Sequence, residues 1–182
     1  MKPTYTKYSD PWEHLTFENR FTEDEIKVMV TEIIDGVRGK KVKSSGKWKF
    51  DNLEGLPTTQ HIVAQHPLPK NLIDEFSYHR PYQKIVERSQ VIVCMASPTM
   101  QEMHKGIHDE HESKILSLVT YLSPASQLGT YIFDRDKNFV KEMEWSSGRS
   151  FVFCAEDGVT WHSYGAKQGV RITLNTFLER VE

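Results

Sequence analysis

Residues 106–122 read GIHDEHESKILSLVTYL, a polar stretch rich in histidine and carboxylate that leads directly into an apolar run. The run ILSLVTYL is short and apolar, which favours a buried strand. If the polar part is extended, His108 and Glu110 point to the same side, because alternate residues of a strand share a face. An imidazole and a carboxylate in this relation can bind one metal ion.

A third metal ligand has to come from elsewhere in the chain, and His162 in the sequence VTWHS is the candidate. Arg171 follows nine residues later inside another predicted strand, with Thr173 at the next position on the same face. Two histidines and one carboxylate on one face of an octahedron are the arrangement of non-haem Fe(II) oxygenases. That arrangement leaves positions open for substrate and dioxygen.

The second half of the chain has the pattern of an all-β core. Short apolar runs separated by Pro, Ser, Gly and Asp predict strands at residues 91–96, 115–122, 129–134, 139–145, 150–155 and 169–178. Their spacing of roughly ten residues favours a sandwich or barrel over parallel β-α-β units, because no helical segment separates them. The run FVFCAEDGVTWH predicts a strand and its turn, with His162 at the end.

The first half predicts helices. Thr22 and Glu25 form a capping box at the start of a helix over residues 23–37, which we expect to brace the sheet. The first twenty residues predict an extended arm. Residues 40–69 are irregular in pattern, with one strand near 59–63, and residues 72–87 predict one kinked or two short helices around Pro81. The prediction is a mainly β, α+β domain over residues 1–182, with helical support and substrate loops in 1–90 and the β core in 91–180.

Composition excludes several classes of protein. The 182 residues carry 23 Lys and Arg against 25 Asp and Glu, a net charge of −2 that weighs against nucleic-acid partners. A basic run from Arg38 to Lys49 favours a solvated loop. The longest apolar run is too short for a membrane helix, and the first residues lack a signal-peptide core. With two cysteines, a disulfide scaffold or cysteine zinc site is excluded, so we expect a cytoplasmic protein.

The order of these motifs resembles a known family. HDEHESKILSLVTYLSP, GTYIFD, GRSFVFCAEDGVTWHS and GVRITLNTF are similar, in sequence order and spacing, to the core of the 2-oxoglutarate- and Fe(II)-dependent oxygenases. The resemblance covers the second half of the chain and is greatest to the small prolyl-hydroxylase-like branch, which includes bacterial and phage proteins. It implies a double-stranded β-helix, a jelly-roll or cupin-like barrel.

The resemblance also implies roles for individual residues. His108, Glu110 and His162 would bind Fe(II), and Arg171 would pair with the distal carboxylate of the cosubstrate 2-oxoglutarate, with Thr173 adding a hydroxyl. Thr120 lies on the strand where some relatives place a cosubstrate-binding Tyr. The activity implied is hydroxylation of a peptidyl or small-molecule substrate by dioxygen, with release of succinate and CO2.

The sequence departs from the family pattern at one position. Glu110 stands where Asp is more common; its longer side chain can reach iron, and a carboxylate there argues against a halogenase, whose chloride needs that place. Asp109 is one residue off and should face away. Lys114 is expected to be a solvated residue at the strand start.

Other interpretations stay open from the sequence alone. His104, His108 and His111 have helical spacing and would form a zinc or nickel site on one helix face, although Gly106 weakens such a helix. A cupin-like metal-binding sensor or scaffold without oxygenase turnover is the main functional alternative. A nucleic-acid-demethylating oxygenase is disfavoured by the charge, and a β-sandwich binding domain without metal is the remaining class.

Overall fold

The computed structural model describes residues 5–38, 46–96, 102–104, 106–125, 127–167 and 169–181. The elements, in chain order, are β1 (Tyr5–Tyr8), β2 (His14–Phe17), α1 (Glu23–Val37), β3 (Lys47–Asp51), α2 (Pro57–Gln65), a 3₁₀ helix (Lys70–Glu75), β4 (Lys84–Ala96), β5 (Glu102–His104), β6 (Lys114–Ser123), β7 (Thr130–Phe133), β8 (Phe139–Met143), β9 (Ser150–Cys154), β10 (His162–Lys167) and β11 (Gly169–Val181). The fold is therefore mainly β, as the sequence predicts.

The described strands form two antiparallel sheets. The larger has the order β1-β2-β9-β6-β11-β4-β3, and the smaller has the order β5-β10-β7-β8. Ile92 and Cys94 of the larger sheet pack against Ala166 of the smaller one, and Phe151 and its neighbours on β9 pack with residues of β7 and β8. The two sheets thus face each other in a jelly-roll-like sandwich.

Strand β11 is the central element of the larger sheet. It pairs with β4 along its whole length, from Gly169 opposite Ala96 to Val181 opposite Lys84, and it pairs with β6 on its other side. Every other residue of β11 therefore points between the two sheets, and the residues in between point to the outer face.

Helix α1 begins at the predicted capping box. The Thr22 hydroxyl accepts a hydrogen bond from the Glu25 backbone N–H, and the Glu25 carboxylate accepts one from the Thr22 N–H at 2.7 Å. Its apolar stripe of Ile26, Met29 and Ile33 is buried on the outer face of the larger sheet. Each such side chain stabilises the fold by about 1.5–3 kcal/mol. The predicted brace is confirmed, and it leaves the inner face of the sheet for the site.

Two predictions for residues 40–87 are wrong. The strand near 59–63 is helix α2, whose N-cap residue Leu56 makes no side-chain capping bond; the Glu32 carboxylate of α1 instead accepts hydrogen bonds from the backbone N–H groups of Thr58 and Thr59. Of the helices predicted over residues 72–87, only the 3₁₀ helix is present. The rest of the range does not form a helix, because β4 begins at Lys84 and pairs with β11.

The predicted order of helices first and strands last is also wrong. Strands β1 and β2 precede α1, and β2 joins the larger sheet beside β9. The N-terminal arm is therefore part of the sheet. His162 begins a separate strand, β10, instead of ending the β9 run. The strands predicted from residue 91 onward are present within a few residues of their expected bounds, except that the strand predicted at 91–96 already begins at Lys84. None of the helices in the described ranges is both long and apolar enough to cross a bilayer.

Candidate active site

His108 and His162 are joined directly through their backbones. They form an isolated antiparallel bridge, in which each backbone N–H donates to the carbonyl oxygen of the other at 3.0 Å. This pairing places the two imidazole rings beside each other, with 4.3 Å between their centroids. Two residues 54 apart in sequence thus lie side by side at one point of the fold.

Both imidazoles are oriented by a backbone carbonyl. The Nδ1 atom of His108 lies 3.1 Å from the carbonyl oxygen of Gly106, and that of His162 lies 2.9 Å from the carbonyl oxygen of Thr160. Because a carbonyl oxygen only accepts, Nδ1 carries the proton in each neutral ring, and the lone pair lies on Nε2. This is the usual arrangement around metal-binding histidines.

The Glu110 carboxylate completes the group. Its Oε1 lies 3.7 Å from His162 Nε2 and accepts a hydrogen bond from Ser117 Oγ at 2.9 Å, while Oε2 pairs with Lys114 Nζ at 2.7 Å. Burial by itself would raise the pKa of Glu110, but the electrostatic influence of the neighbouring His162, the charge of Lys114 and the hydrogen bonds from Lys114 and Ser117 outweigh it and lower the pKa to about 2. Glu110 is therefore a carboxylate at neutral pH.

Asp109 points away from these three residues. Its Oδ1 accepts a hydrogen bond from the Thr160 hydroxyl at 3.0 Å, and its Oδ2 accepts one from the Gly158 backbone N–H at 2.8 Å. It fastens the segment carrying His108 and Glu110 to the loop that precedes His162. Asp109 thus holds the two ligand-bearing segments together.

The donor set fits Fe(II) by its chemistry. Two neutral imidazole nitrogens and one ionised carboxylate are the ligands that non-haem iron takes in oxygenases. Within the described ranges, no three His, Cys, Asp or Glu side chains already have the spacing of a closed metal centre. The Glu110 carboxylate bonds to Lys114 and Ser117, and its Oε1 faces His162 Nε2.

The zinc or nickel site on a helix face is wrong. Residues 106–113 are not helical, so His108 and His111 do not share a helix face. His111 bonds instead to the neighbouring Ser113 hydroxyl at 3.0 Å. The side chain of His104 lies outside the described residues.

Arg171 is buried in the opposite wall of the same cavity. The residue is 2% exposed, and its guanidinium lies over the rings of Tyr164 and Trp145, at 4.7 and 5.0 Å from their centroids. Its Nε donates to the carbonyl oxygen of Leu128 at 3.3 Å. Within the described part of the chain, no carboxylate forms an ion pair with it. A buried cation without a counter-ion is costly, so Arg171 is set to receive an anion.

A cavity of about 130 Å³ connects Arg171 and Thr173 to His108, Glu110 and His162. The structure thus brings five of the six site residues predicted from the sequence to one cavity. Its wall also contains polar residues that the sequence did not indicate, namely Lys47, Lys49, Gln90, Thr130, Tyr164 and Asn175.

Two lysines of the basic run lie on a strand and not in the predicted loop. Lys47 and Lys49 are on β3, and both line the cavity; Lys47 is half-buried, whereas Lys49 is solvent-exposed as the sequence suggests. Lys47 Nζ donates to the Tyr164 hydroxyl at 3.0 Å, and burial lowers the pKa of this lysine. Their alternation along residues 47–51 was the available signal for this strand.

Thr120 and Lys114 also differ from expectation. The structure does not bring Thr120 to the cavity, because Val119 occupies the cavity-facing position of β6 and the Thr120 hydroxyl bonds to Ser150 at 2.8 Å. Lys114 is not solvated: it pairs with Glu110, and its ammonium lies 3.6 Å from the centroid of the Phe177 ring.

Arg80 anchors the segment that carries Glu110. It is 4% exposed, and its guanidinium donates to the backbone carbonyl oxygens of His111 at 2.7 Å and Lys114 at 3.0 Å. It also pairs with Asp157 in the loop before His162. This role has no local signal in the sequence, because Arg80 contacts backbone atoms of segments that are distant in sequence.

No family model matches the sequence, and no curated protein matches it significantly. Solved structures do match over nearly the whole chain. A viral collagen prolyl hydroxylase from Paramecium Bursaria Chlorella virus-1, solved in complex with 2-oxoglutarate (2OG), is 14% identical over 92% of this chain and 96% of its own, with a TM-score of 0.60.

Two further structures give the same result. A 2OG-Fe(II) oxygenase family oxidoreductase from Burkholderia pseudomallei is 14% identical over 92% of this chain and 84% of its own, with a TM-score of 0.61. A prolyl hydroxylase from Trichoplax adhaerens, in complex with a hypoxia inducible factor peptide, is 8% identical over 91% and 83%, with a TM-score of 0.64. The chain therefore has the fold of the 2OG-Fe(II) oxygenases, and in particular that of the prolyl hydroxylases.

Proposed function

We propose that the protein is an Fe(II)- and 2-oxoglutarate-dependent dioxygenase that hydroxylates a C–H bond of a peptidyl or small-molecule substrate, releasing succinate and CO2. We further propose that its two sheets act as the double-stranded β-helix of that family. The observation that carries the proposal is one cavity with His108, Glu110 and His162 at one end and a buried, carboxylate-free Arg171 at the other.

His108, Glu110 and His162 would hold the iron through the two Nε2 atoms and the carboxylate. When bound, Fe(II) together with 2-oxoglutarate and dioxygen supplies the oxidising chemistry. The protein holds the ligands in place through the carbonyl oxygens of Gly106 and Thr160. Lys114 and Ser117 keep Glu110 ionised, so the carboxylate needs no deprotonation at neutral pH.

Arg171 and Thr173 would bind the distal carboxylate of 2-oxoglutarate. A guanidinium offers a planar pair of donors to a carboxylate, and charge-assisted hydrogen bonds of this kind are about twice as strong as neutral ones. The rings of Tyr121, Trp145 and Tyr164 surround the guanidinium and exclude water from it. The low local dielectric strengthens the interaction with an arriving anion.

We also propose a cytoplasmic location. Cys94 and Cys154 are both unpaired and buried, which fits a reducing compartment.

Anaerobic titration of the protein with Fe(II) and 2-oxoglutarate tests the proposal. We expect the weak visible charge-transfer band of an iron–2-oxoglutarate complex, and succinate formation once air is admitted. His162→Ala should abolish the band, whereas His61→Ala, on α2 away from the cavity, should leave it unchanged. Absence of the band in the intact protein would overturn the proposal. A band without succinate under any condition would favour the metal-binding sensor.

A further inference from the structure

A second, open cavity of about 340 Å³ adjoins the one described above. The two share four wall residues, Lys49, Gln90, Lys114 and Phe177. The inner cavity therefore continues outward along the inner face of β3, β4 and β11. This outer groove is open to solvent and leads to the inner cavity.

Two side-chain amides stand in the wall where the inner cavity meets the groove. Gln90 on β4 and Asn175 on β11 are direct cross-strand partners, and both line the inner cavity. The Oδ1 atom of Asn175 is fully buried and has no hydrogen-bond partner, and the Gln90 side chain makes no hydrogen bond to the rest of the described chain. Because buried polar groups almost always have partners, we expect a ligand to supply one for Asn175 Oδ1, whereas Gln90 is only half-buried.

The charges of the inner cavity are strongly unbalanced. Its wall contains Lys47, Lys49, Lys114 and Arg171 against the single carboxylate of Glu110. Lys114 pairs with Glu110, and Lys47 donates to Tyr164. Arg171 is assigned to the cosubstrate, whereas the Lys49 ammonium has no partner among the described residues.

The outer groove adds charges of both signs. Its Arg88 and Glu179 neutralise each other in an ion pair of 3.1 Å. Asp51, two residues along β3 from Lys49, adds a carboxylate to the groove but does not line the inner cavity. Lys49, exposed and unpaired among the described residues, lines both cavities and therefore lies where the inner cavity meets the groove.

We propose that Lys49, Gln90 and Asn175 form the substrate-binding strip of the enzyme, and that the substrate carries a carboxylate bound by Lys49. A hydrogen-bond donor beside that carboxylate would satisfy Asn175 Oδ1. This combination is the chemistry of an acidic amino-acid unit, either in a peptide or as a free compound. The inference rests on the proposed function, since it assigns the substrate of the same site.

Saturation-transfer NMR on the metal-free protein, with 2-oxoglutarate present in excess, tests this assignment without turnover. One pool contains pairs of capped peptides, here called twins. The two members of a pair are identical except that one has Asp where the other has Asn, or Glu where the other has Gln. The other contains free amino acids and their α-amide twins. We expect carboxylate members of one pool to bind about tenfold more tightly than their twins; the responding pool identifies the source of the carboxylate.

Lys49→Glu should remove that preference while 2-oxoglutarate binding stays unchanged, and Lys27→Glu on the exposed face of α1 should leave the preference intact. The preferred members should also gain one oxygen atom by mass spectrometry with Fe(II) and air. Equal binding of the twins, an unchanged preference in Lys49→Glu, or no bound member would overturn the inference. Failure of the proposed function is distinct, because the iron–2-oxoglutarate band would then be missing in the wild type.

Discussion

The guanidinium of Arg80 donates a hydrogen bond of 2.7 Å to the backbone carbonyl oxygen of His111, directly after Glu110 in the chain. Together with the bond to Lys114, it fixes the turn on which Glu110 is presented. We expect Arg80→Lys to weaken Mn(II) or Fe(II) binding about tenfold, because Lys retains the charge but cannot reproduce with one nitrogen the contacts that Arg80 makes with two, to the His111 and Lys114 carbonyl oxygens and to Asp157. Isothermal titration calorimetry under nitrogen measures this affinity.

Arg20 provides the matched control for that experiment. It is a buried arginine that donates to the His66 carbonyl oxygen and the Thr176 hydroxyl, outside the metal-binding segment. Arg20→Lys should leave metal affinity unchanged even if it lowers stability. Equal losses of metal affinity in both variants would assign Arg80 a general structural role.

Arg171→Leu should weaken 2-oxoglutarate binding about 100-fold, because two charge-assisted hydrogen bonds are lost from a buried site. We expect metal binding to stay within about twofold of wild type, since Arg171 lies in the opposite wall of the cavity. Thermal unfolding with and without 2-oxoglutarate provides the measurement. Arg149, which pairs with Glu18 at 2.6 Å and does not line the cavity, is the matched control. The ligand should raise the Tm of the wild type and of Arg149→Gln, but not of Arg171→Leu. A full ligand-induced rise in Arg171→Leu would contradict the assignment.

The structure and the sequence-based expectation agree in placing Thr173 at the cavity but differ for Thr120. Thr120→Val should leave 2-oxoglutarate affinity unchanged and cost about 1 kcal/mol of stability through the lost bond to Ser150. Thr173→Val should weaken that affinity about fivefold, because its side chain lines the cavity beside Arg171. Titration of the charge-transfer band compares the two variants. The reverse ranking would restore Thr120 as the cosubstrate residue.

Glu32 predicts a pH dependence of stability away from the site. Burial by itself would raise the pKa of Glu32, but hydrogen bonds from Thr59 and Thr58 outweigh it and lower the pKa below its usual value of 4.5. The stabilisation is therefore present above pH 4.5 and is lost as the pH falls through the folded-state pKa. Glu32→Gln should cost about 1 kcal/mol at pH 7 and less at pH 3, as urea unfolding at both values would measure.

The sequence predicts most of the β core because the strands after residue 91 are short buried runs with clear boundaries. It also indicates His108, Glu110 and His162, whose residue types limit the chemistry to few options. Helix α2 was missed because its N-terminal cap comes from Glu32, far back in the chain. The first half of β4 was missed because its strand state depends on pairing with β11.

The polar wall of the cavity could not be predicted from the sequence for a related reason. Lys49, Gln90 and Asn175 are unremarkable polar residues in their local sequence. They meet only because β3, β4 and β11 pair in one register. Arg80 is likewise informative only when its backbone partners are known. Cross-strand neighbours and backbone contacts of this kind have no local signature.

Strand β11 also sets the spacing within the proposed site. Arg171, Thr173, Asn175 and Phe177 occupy alternate positions along it, and all four line the inner cavity. At about 3.4 Å per residue, the proposed cosubstrate-binding Arg171 and the proposed substrate-binding Asn175 are about 14 Å apart along the strand. A one-residue deletion between them would bring Thr176 and Leu178 from the outer face to the positions that Asn175 and Phe177 now occupy. A substitution along β11 therefore changes one position of the cavity wall, whereas a change in the length of the strand replaces every wall residue beyond it.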